Sequence, residues 1–157
     1  MRDQIVSDFL NSLARPAVPV PAGATVAALA VAQAAALLSR AAGGDAEADR
    51  LTRHALRLAE KDAHAVAHPS RSWADPALEV IGAAGEVIGL AERLLSTVDR
   101  AALVDVSAAA EMARSSAIAA QVAVEARDGT GSDVDALAER AARVTGTVRA
   151  TGVRSGV

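Results

Sequence analysis

The apolar residues of this chain are almost all small or aliphatic, and this restricts the folds that it can form. Phe9 and Trp73 are the only aromatic side chains in 157 residues, although 52% of the residues are hydrophobic. Most of the apolar surface therefore comes from Ala, Val and Leu. Ala has the highest helix propensity because it loses no side-chain entropy in a helix. No segment alternates polar and apolar residues with the period of a strand. The sequence predicts an all-α fold.

Helical spacing of the apolar residues, together with start and stop signals, predicts about six helices in a single domain that spans residues 1–157. Ala42-Gly43-Gly44 should stop the second helix, and Asp45 should be the N-cap of the third. Asp75-Pro76 is a typical helix start. The predicted helices contain, approximately, Ile5 to Leu13, Ala24 to Arg40, Ala46 to Ala67, Pro76 to Leu95, Thr97 to Arg127 and Val134 to Val148.

The composition also predicts a homodimer. A core of small side chains gains little burial energy per residue, so we expect the apolar second and fifth helices to bury further surface against a second copy.

The net charge of −3 argues against a nucleic-acid partner, and the chain has no Cys. Met1-Arg2-Asp3-Gln4 lacks the form of a signal peptide, and Ala24 to Leu38 is shorter than a membrane span of ~20 residues. We expect a cytoplasmic protein that binds no membrane.

Asp62 interrupts an apolar stripe of the third helix. Helical steps from Leu51 lead through Ala55 and Leu58 to Asp62 and then Ala65. Burial of a carboxylate costs several kcal/mol unless it is paired or hydrogen-bonded. Two interpretations follow: a structural carboxylate paired with an Arg of a neighbouring helix, or a ligand-binding or acid–base group.

Asp105 repeats this pattern on the fifth helix, where it shares a face with Ala108, Met112, Ser115 and Ala119. One such carboxylate is often structural. Two of them on different helices, in a chain with few buried polar groups, favour a polar pocket that Asp62 and Asp105 share.

Two other features indicate less. His64 and His68 have the spacing of metal ligands but no recognisable third ligand, so we predict solvent-facing histidines and no metal site. Arg40, Arg50, Arg53 and Arg57 are interpreted as a solvated face that could also meet an acidic part of a ligand.

The proline-rich segment from Pro19 to Thr25 leads into the second helix. Free backbone amides and the helix dipole at that point favour a carboxylate or another electron-rich group of a ligand. The alternative is an ordinary helix entry that proline stiffens.

The order of several motifs resembles the cyclodeaminase/methenyltetrahydrofolate cyclohydrolase family, which includes the C-terminal domain of formiminotransferase-cyclodeaminase. Phe9-Leu10 and then Pro19-x-Pro21-x-Gly23-x-Thr25 precede an Ala/Leu helix, where the family reads Pro-Thr-Pro-Gly-Gly-Gly-Ser. The segment from Leu58 to Ala65 is similar to the family's acidic Asp-x-x-Ala segment. Val104-Asp105 and the helix that ends in Gln121-Val122-Ala123-Val124-Glu125 resemble its Ser-Asp helix, which closes with Asn-Val-x-x-Asn.

The resemblance implies an antiparallel helical bundle that forms a homodimer, with ligand clefts near the subunit interface and no tightly bound cofactor. The implied substrate is a 5-formimino- or 5,10-methenyl-tetrahydrofolate. Asp62 and Asp105 are the implied catalytic carboxylates, because one carboxylate suits proton transfer and another can accept the paired hydrogen bonds of a pterin. The implied ligand-binding residues are Pro21, Ala22, Gly23, Ala24, Thr25, Gln121 and Glu125.

The chain departs from the family pattern at four of these positions. Ala22 and Ala24 replace glycines, and Gln121 and Glu125 replace asparagines. These departures leave two alternatives to a folate enzyme. The same scaffold could act on another small molecule, in a cyclisation or deamination step of a biosynthetic pathway, or it could be a non-catalytic helical partner subunit.

Overall fold

The computed structural model of the chain describes residues 6–14, 23–67, 76–128 and 134–153. These residues form six α-helices and one short 3-10 helix, with no strand among them, so the predicted all-α fold is confirmed. The bounds agree with the prediction to within a few residues, except at the start of the fifth helix. The α-helices are α1 (Val6–Leu13), α2 (Gly23–Ala41), α3 (Ala46–Ala67), α4 (Pro76–Leu94), α5 (Leu103–Asp128) and α6 (Asp135–Val153).

Local signals determine the turn between α2 and α3. Gly43 and Gly44 have φ angles of 71° and 99°, a conformation that side chains with a Cβ rarely adopt. The Gly44 amide donates to the Ser39 carbonyl at 2.8 Å, which closes the end of α2. Asp45 Oδ1 accepts a hydrogen bond from the Ala48 amide at 2.8 Å. The predicted stop and the predicted N-cap are both confirmed.

Side-chain contacts show that α3 runs antiparallel to both α2 and α4. Near the turn, the Ser39 hydroxyl of α2 donates to Asp49 of α3, while Thr25 at the other end of α2 meets Asp62 near the end of α3. Ion pairs connect the start of α3 to the end of α4 and the end of α3 to the start of α4. These pairs are Glu47–Arg93, Arg50–Glu86 and Lys61–Glu79.

Helix α5 completes a four-helix bundle by packing along both α2 and α4, and α6 packs against α4 and α5. The buried core is made mostly of Ala, with larger side chains such as Leu38, Leu51 and Ile88 filling the space between the helices. Helix α2 is long and apolar enough to cross a membrane, but half of that stretch is buried inside the bundle. The core helix of a soluble protein passes the same test.

The fifth helix begins later than predicted. We expected it to start near Thr97, whereas α5 starts at Leu103 after a 3-10 turn at Arg100–Ala102. The amides of Thr97 and Val98 both donate to the Leu94 carbonyl, so this segment still closes the end of α4. Asp99 is extended, with φ of −62° and ψ of 152°, and separates the two helices.

The face of α5 that contains Asp105 lies mostly outside the core, although Asp105 itself is partly buried as predicted. Ala108, Ser115 and Ala119, which share a face with Asp105, are exposed. The apolar side chains of α5 are spread almost evenly around the helix, so the period of the sequence does not indicate a direction. The side chains that α5 buries are those of Leu103, Val106, Ala109, Ala110, Ala113, Ser116, Ala117, Ala120 and Val124.

Candidate functional site

A buried hydrogen bond joins the first turn of α2 to α3. Thr25 Oγ1 donates to Asp62 Oδ2 at 2.5 Å, and both residues have an exposed fraction of 0%. The other carboxylate oxygen, Oδ1, is buried as well. Asp62 therefore lies inside the bundle on the stripe that the sequence predicted, and a hydroxyl of the neighbouring helix holds one of its oxygens.

The N-terminus of α2 provides a favourable environment for this carboxylate. The first backbone amides of a helix have no acceptor within the helix, and the macrodipole adds partial positive charge there. Thr25 is the third residue of α2, so Asp62 approaches this end of the helix. Lys61, the preceding residue on α3, pairs with Glu79 of α4. The carboxylate, the helix end and an ion pair thus occupy the same end of the bundle.

Asp105 lies at the opposite end of the bundle. Its Oδ2 accepts hydrogen bonds from Arg40 Nη2 at 2.5 Å and Arg40 Nε at 3.1 Å, and this contact raises the pKa of Arg40. With a rise of 1.5 Å per residue, Thr25 and Arg40 are ~22 Å apart along α2. The pocket predicted to contain both Asp62 and Asp105 therefore does not form within one chain. The interpretation as a structural carboxylate paired with an Arg of a neighbouring helix therefore applies to Asp105.

The predicted ligand-binding segment is only partly described. Pro21 and Ala22 lie outside the described residues. Gly23 is exposed, and a Cβ added there would meet no heavy atom within 4 Å. Ala24 is fully buried in the core, and Thr25 is fully buried against Asp62. Among the described residues of this segment, which are Gly23, Ala24 and Thr25, Gly23 is the one with open surroundings.

Gln121 and Glu125 contact each other. Gln121 Nε2 donates to Glu125 Oε1 at 2.6 Å, and Gln121 Oε1 is buried with no hydrogen-bond partner in the described part of the chain. The separation of Asp105 and Gln121 in sequence corresponds to a rotation of ~160° about the α5 axis. Because Asp105 faces Arg40 of α2, Gln121 lies on a different side of α5. The contacts described here do not join this pair to Thr25 and Asp62.

The histidines show no metal site within the described ranges. His64 is exposed, and no group of three or more His, Asp or Glu residues that could hold a metal ion occurs among residues 6–14, 23–67, 76–128 and 134–153. His68 lies outside these ranges. The absence of a zinc site stays a prediction, which elemental analysis of the purified protein would check.

Sequence patterns indicate Thr25 and Asp62 as separate site residues, and neither pattern by itself pairs the two. The sequence does contain a signal for this contact, because Thr25 is one of only two polar residues in the otherwise apolar stretch from Ala24 to Leu38. A buried hydroxyl needs an acceptor, and a buried carboxylate needs a donor. Matching these two requirements would have paired the two residues.

No protein-family model matches this chain, and no curated protein matches it significantly. The resemblance to the cyclodeaminase/cyclohydrolase family therefore depends on the residues and the motif order given above. Chemically, the Thr25–Asp62 pair is a carboxylate in a water-excluded environment with a fixed donor on one oxygen. Such a group can transfer a proton or accept hydrogen bonds from the donor edge of a ligand.

Proposed function

We propose that this chain is a cyclodeaminase- or cyclohydrolase-like enzyme that acts on a tetrahydrofolate one-carbon derivative. The observation that supports the proposal is the carboxylate of Asp62, which is enclosed at the N-terminus of α2 and accepts a hydrogen bond from Thr25. This carboxylate lies at the end of the bundle where the motif that resembles the family enters α2. In this proposal Asp62 is the proton-transferring residue, and Thr25 positions it.

The proposed chemistry needs a proton carrier near an amidine-like carbon. When water adds to a 5,10-methenyl derivative, a carboxylate can accept the proton of the attacking water. When a 5-formimino derivative cyclises, the same group can donate the proton that the leaving ammonia needs. Thr25 holds Oδ2 of Asp62, and the low polarity of the core strengthens each electrostatic contact with the reacting group.

Access for a substrate requires movement, because Thr25 and Asp62 are both fully enclosed. Gly23 lies two residues before Thr25 and is exposed. In the proposed reaction the ligand approaches over Gly23, and the first turn of α2 moves away from α3 so that the ligand reaches Asp62. The proposed enzyme is a cytoplasmic homodimer without a tightly bound cofactor or metal, as composition and resemblance lead us to expect.

Several contacts favour other functions of the same scaffold. The methyl group of Ala24 occupies the core at a position where the family has Gly, and Gln121 bonds to Glu125. These contacts favour a different small molecule as the substrate. The pairing of Asp105 with Arg40 favours a non-catalytic partner subunit, because it gives this carboxylate a structural role.

Ligand-induced thermal shift distinguishes these functions. 5,10-Methenyl- and 5-formimino-tetrahydrofolate, with unrelated heterocycles as comparison ligands, should be added to the wild type, to Asp62→Asn and to the matched control Asp105→Asn. A ligand of the native state raises the melting temperature by mass action. We expect the folates to stabilise the wild type and Asp105→Asn, and turnover to be lost in Asp62→Asn.

The other outcomes identify the alternatives. Stabilisation by a non-folate heterocycle alone would support the repurposed scaffold. Stabilisation by no compound, together with a large loss of stability in Asp62→Asn, would support the partner subunit. Equal losses of folate binding in both Asp→Asn variants would contradict the proposal that Asp62, and not Asp105, belongs to the ligand site.

A further inference from the structure

We propose that the outer side of α3 binds an acidic segment of a partner protein. Arg53, Leu56 and Arg57 form this surface, which we call the α3 patch, and all three are exposed. Two carboxylates of the partner would bond to the two arginines, and an apolar side chain of the partner would pack on Leu56. The proposal does not depend on the substrate or the reaction proposed for Asp62.

The pairing of arginines with carboxylates distinguishes the α3 patch from the rest of the bundle. The other arginines of α2 to α5 whose side chains the structure describes each form an ion pair: Arg40 with Asp105, Arg50 with Glu86, Arg93 with Glu47 and Arg114 with Glu111. No carboxylate in the described part of the chain forms an ion pair with Arg53 or Arg57. These two guanidinium groups can therefore bond to carboxylates of another molecule.

A gap in the ion pairs between α3 and α4 lies beside the α3 patch. The ion pairs of Glu79 and Glu86 with α3 define the antiparallel register, which puts Arg57 level with Gly82. Gly82 is exposed, and a Cβ added there would meet no heavy atom within 4 Å. At this level α4 supplies no carboxylate to Arg57, and the space above Gly82 is open to a group of a partner.

Helix stability does not explain the two arginines. Arg53 and Arg57 are four residues apart on one side of α3, and like charges at that spacing destabilise a helix. Glu60, at the far end of the same side, leaves the net charge of this side positive. Carboxylates of a partner would remove the repulsion between the arginines, so complex formation would stabilise α3.

The geometry of the α3 patch favours the carboxylates of a protein segment over a phosphate. Side chains four apart on a helix have Cβ atoms about 5–6 Å apart, so two carboxylates one turn apart on a partner helix match Arg53 and Arg57. A planar guanidinium bonds to a carboxylate through two parallel hydrogen bonds. Leu56, with an exposed fraction of 38%, adds an apolar contact that a free phosphate would not use. The net charge of −3 also disfavours a nucleic acid.

Fluorescence anisotropy with a designed peptide tests this proposal. The probe is a labelled amphipathic helical peptide with two Glu residues one turn apart and a Leu beside them, and the control peptide has Gln in place of Glu. We expect the wild type to bind the Glu peptide saturably and the affinity to fall at high salt. Arg53→Gln/Arg57→Gln should bind it at least about fivefold more weakly. Arg143→Gln/Arg149→Gln, which changes two exposed arginines of α6, is the matched control and should bind like the wild type.

Substitutions at Gly82 provide a second measurement that keeps both arginines. Gly82→Glu offers a carboxylate to Arg57 from within the chain, so it should weaken binding of the Glu peptide by about threefold. Gly82→Ala makes a similar change in the backbone without a charge and should bind the peptide like the wild type. Melting temperatures of both variants check that each is folded.

Four outcomes would overturn the proposal. The first is that the wild type does not bind the Glu peptide, and the second is that it binds the Gln peptide equally well. The third is an equal loss of affinity in the α3 and the α6 double variants, which would mean that the overall charge attracts the peptide. The fourth is tighter binding of inorganic phosphate or a single-stranded oligonucleotide than of the peptide, which would assign the α3 patch to a different class of ligand.

Discussion

The hydroxyl of Thr25 lies 2.5 Å from the carboxylate of Asp62 and joins the start of α2 to the end of α3 inside the bundle. Both side chains are fully buried, and a hydrogen bond to a charged acceptor is roughly twice as strong as one between neutral groups. The contact can therefore serve stability, by satisfying two buried polar groups, and function, by orienting the carboxylate. Different substitutions separate these two roles.

Thr25→Val tests the role of the contact in stability. Val has nearly the same shape as Thr but donates no hydrogen bond, so Asp62 Oδ2 would lose the hydroxyl that now contacts it. We expect the free energy of unfolding to fall by about 1–3 kcal/mol. Urea denaturation would measure this, with Thr25→Ser as the control that keeps the donor. Equal losses in the two variants would show that the hydroxyl contributes little.

Asp62→Asn tests the role of the negative charge. If the charge serves a ligand, the variant should keep or raise its melting temperature, because functional sites commonly give up stability. Ligand affinity or turnover should then fall by about tenfold or more. If the charge serves structure alone, the variant should instead lose several kcal/mol of stability. Thermal melts and ligand titrations on the same protein decide between the two.

Asp105→Asn should behave differently from Asp62→Asn. Asp105 pairs with Arg40, whose side chain is 71% exposed, and solvent screens such ion pairs strongly. We expect the melting temperature to change by no more than about 3 °C, and by less at high salt. Ligand affinity should not change, since the pair lies ~22 Å from Thr25 along α2. A large, salt-independent loss of stability would contradict this interpretation.

Acid should weaken the attachment of α6. The hydrogen bond from Arg140 holds the pKa of Glu92 below its ordinary value of 4.5, and hydrogen bonds from Arg114 and Thr145 do the same for Glu111. A carboxyl whose pKa is lowered on folding contributes stability at pH values above its unfolded pKa, and this contribution disappears as the pH falls through the folded pKa. Because both carboxyls are about one-third exposed and solvent screens their contacts, the melting temperature should fall only modestly as the pH drops below about 5.

A double variant, Glu92→Gln and Glu111→Gln, checks the origin of this acid dependence. It should melt at a lower temperature than the wild type at neutral pH and should show a flatter pH profile. Glu139→Gln, at an exposed position of α6, should keep the wild-type profile. An unchanged slope in the double variant would mean that other carboxyls cause the acid dependence.

Two glycines of α4 should respond differently to substitution by Ala. A Cβ at Gly82 would meet no heavy atom within 4 Å, whereas a Cβ at Gly85 would lie 3.3 Å from Leu137 of α6. Ala is favoured over Gly in a helix interior by about 0.5–1 kcal/mol, so Gly82→Ala should raise the melting temperature by a few degrees. Gly85→Ala should raise the melting temperature by less than Gly82→Ala does, or lower it, because the added methyl group crowds Leu137. Calorimetry on both variants measures the difference.

The sequence pattern indicates the inward side of α3 but not that of α5, and one physical cause explains both outcomes. The outer side of α3 has charged residues such as Glu47 and Arg50, so the apolar stripe that includes Asp62 was visible and its burial is confirmed. Helix α5 has apolar residues on nearly all sides, and most of the residues that share a face with Asp105 are exposed. Periodicity identifies the inward side only where the outward side is polar.

The sequence by itself determined the features that depend on neighbouring residues. These are the helical class, most helix ends, the turn at Gly43 and Gly44 and the N-cap at Asp45, because helix propensity and capping act over a few residues.

Only the tertiary structure decided which distant residues meet. Thr25 and Asp62 are 37 positions apart in sequence, and Arg40 and Asp105 are 65 apart. Because α2 runs antiparallel to α3, and Arg40 at its end meets Asp105 near the start of α5, the bundle separates the two aspartates that the sequence had placed in one pocket. Such long-range pairing depends on how the helices pack, and small apolar side chains specify that packing only weakly.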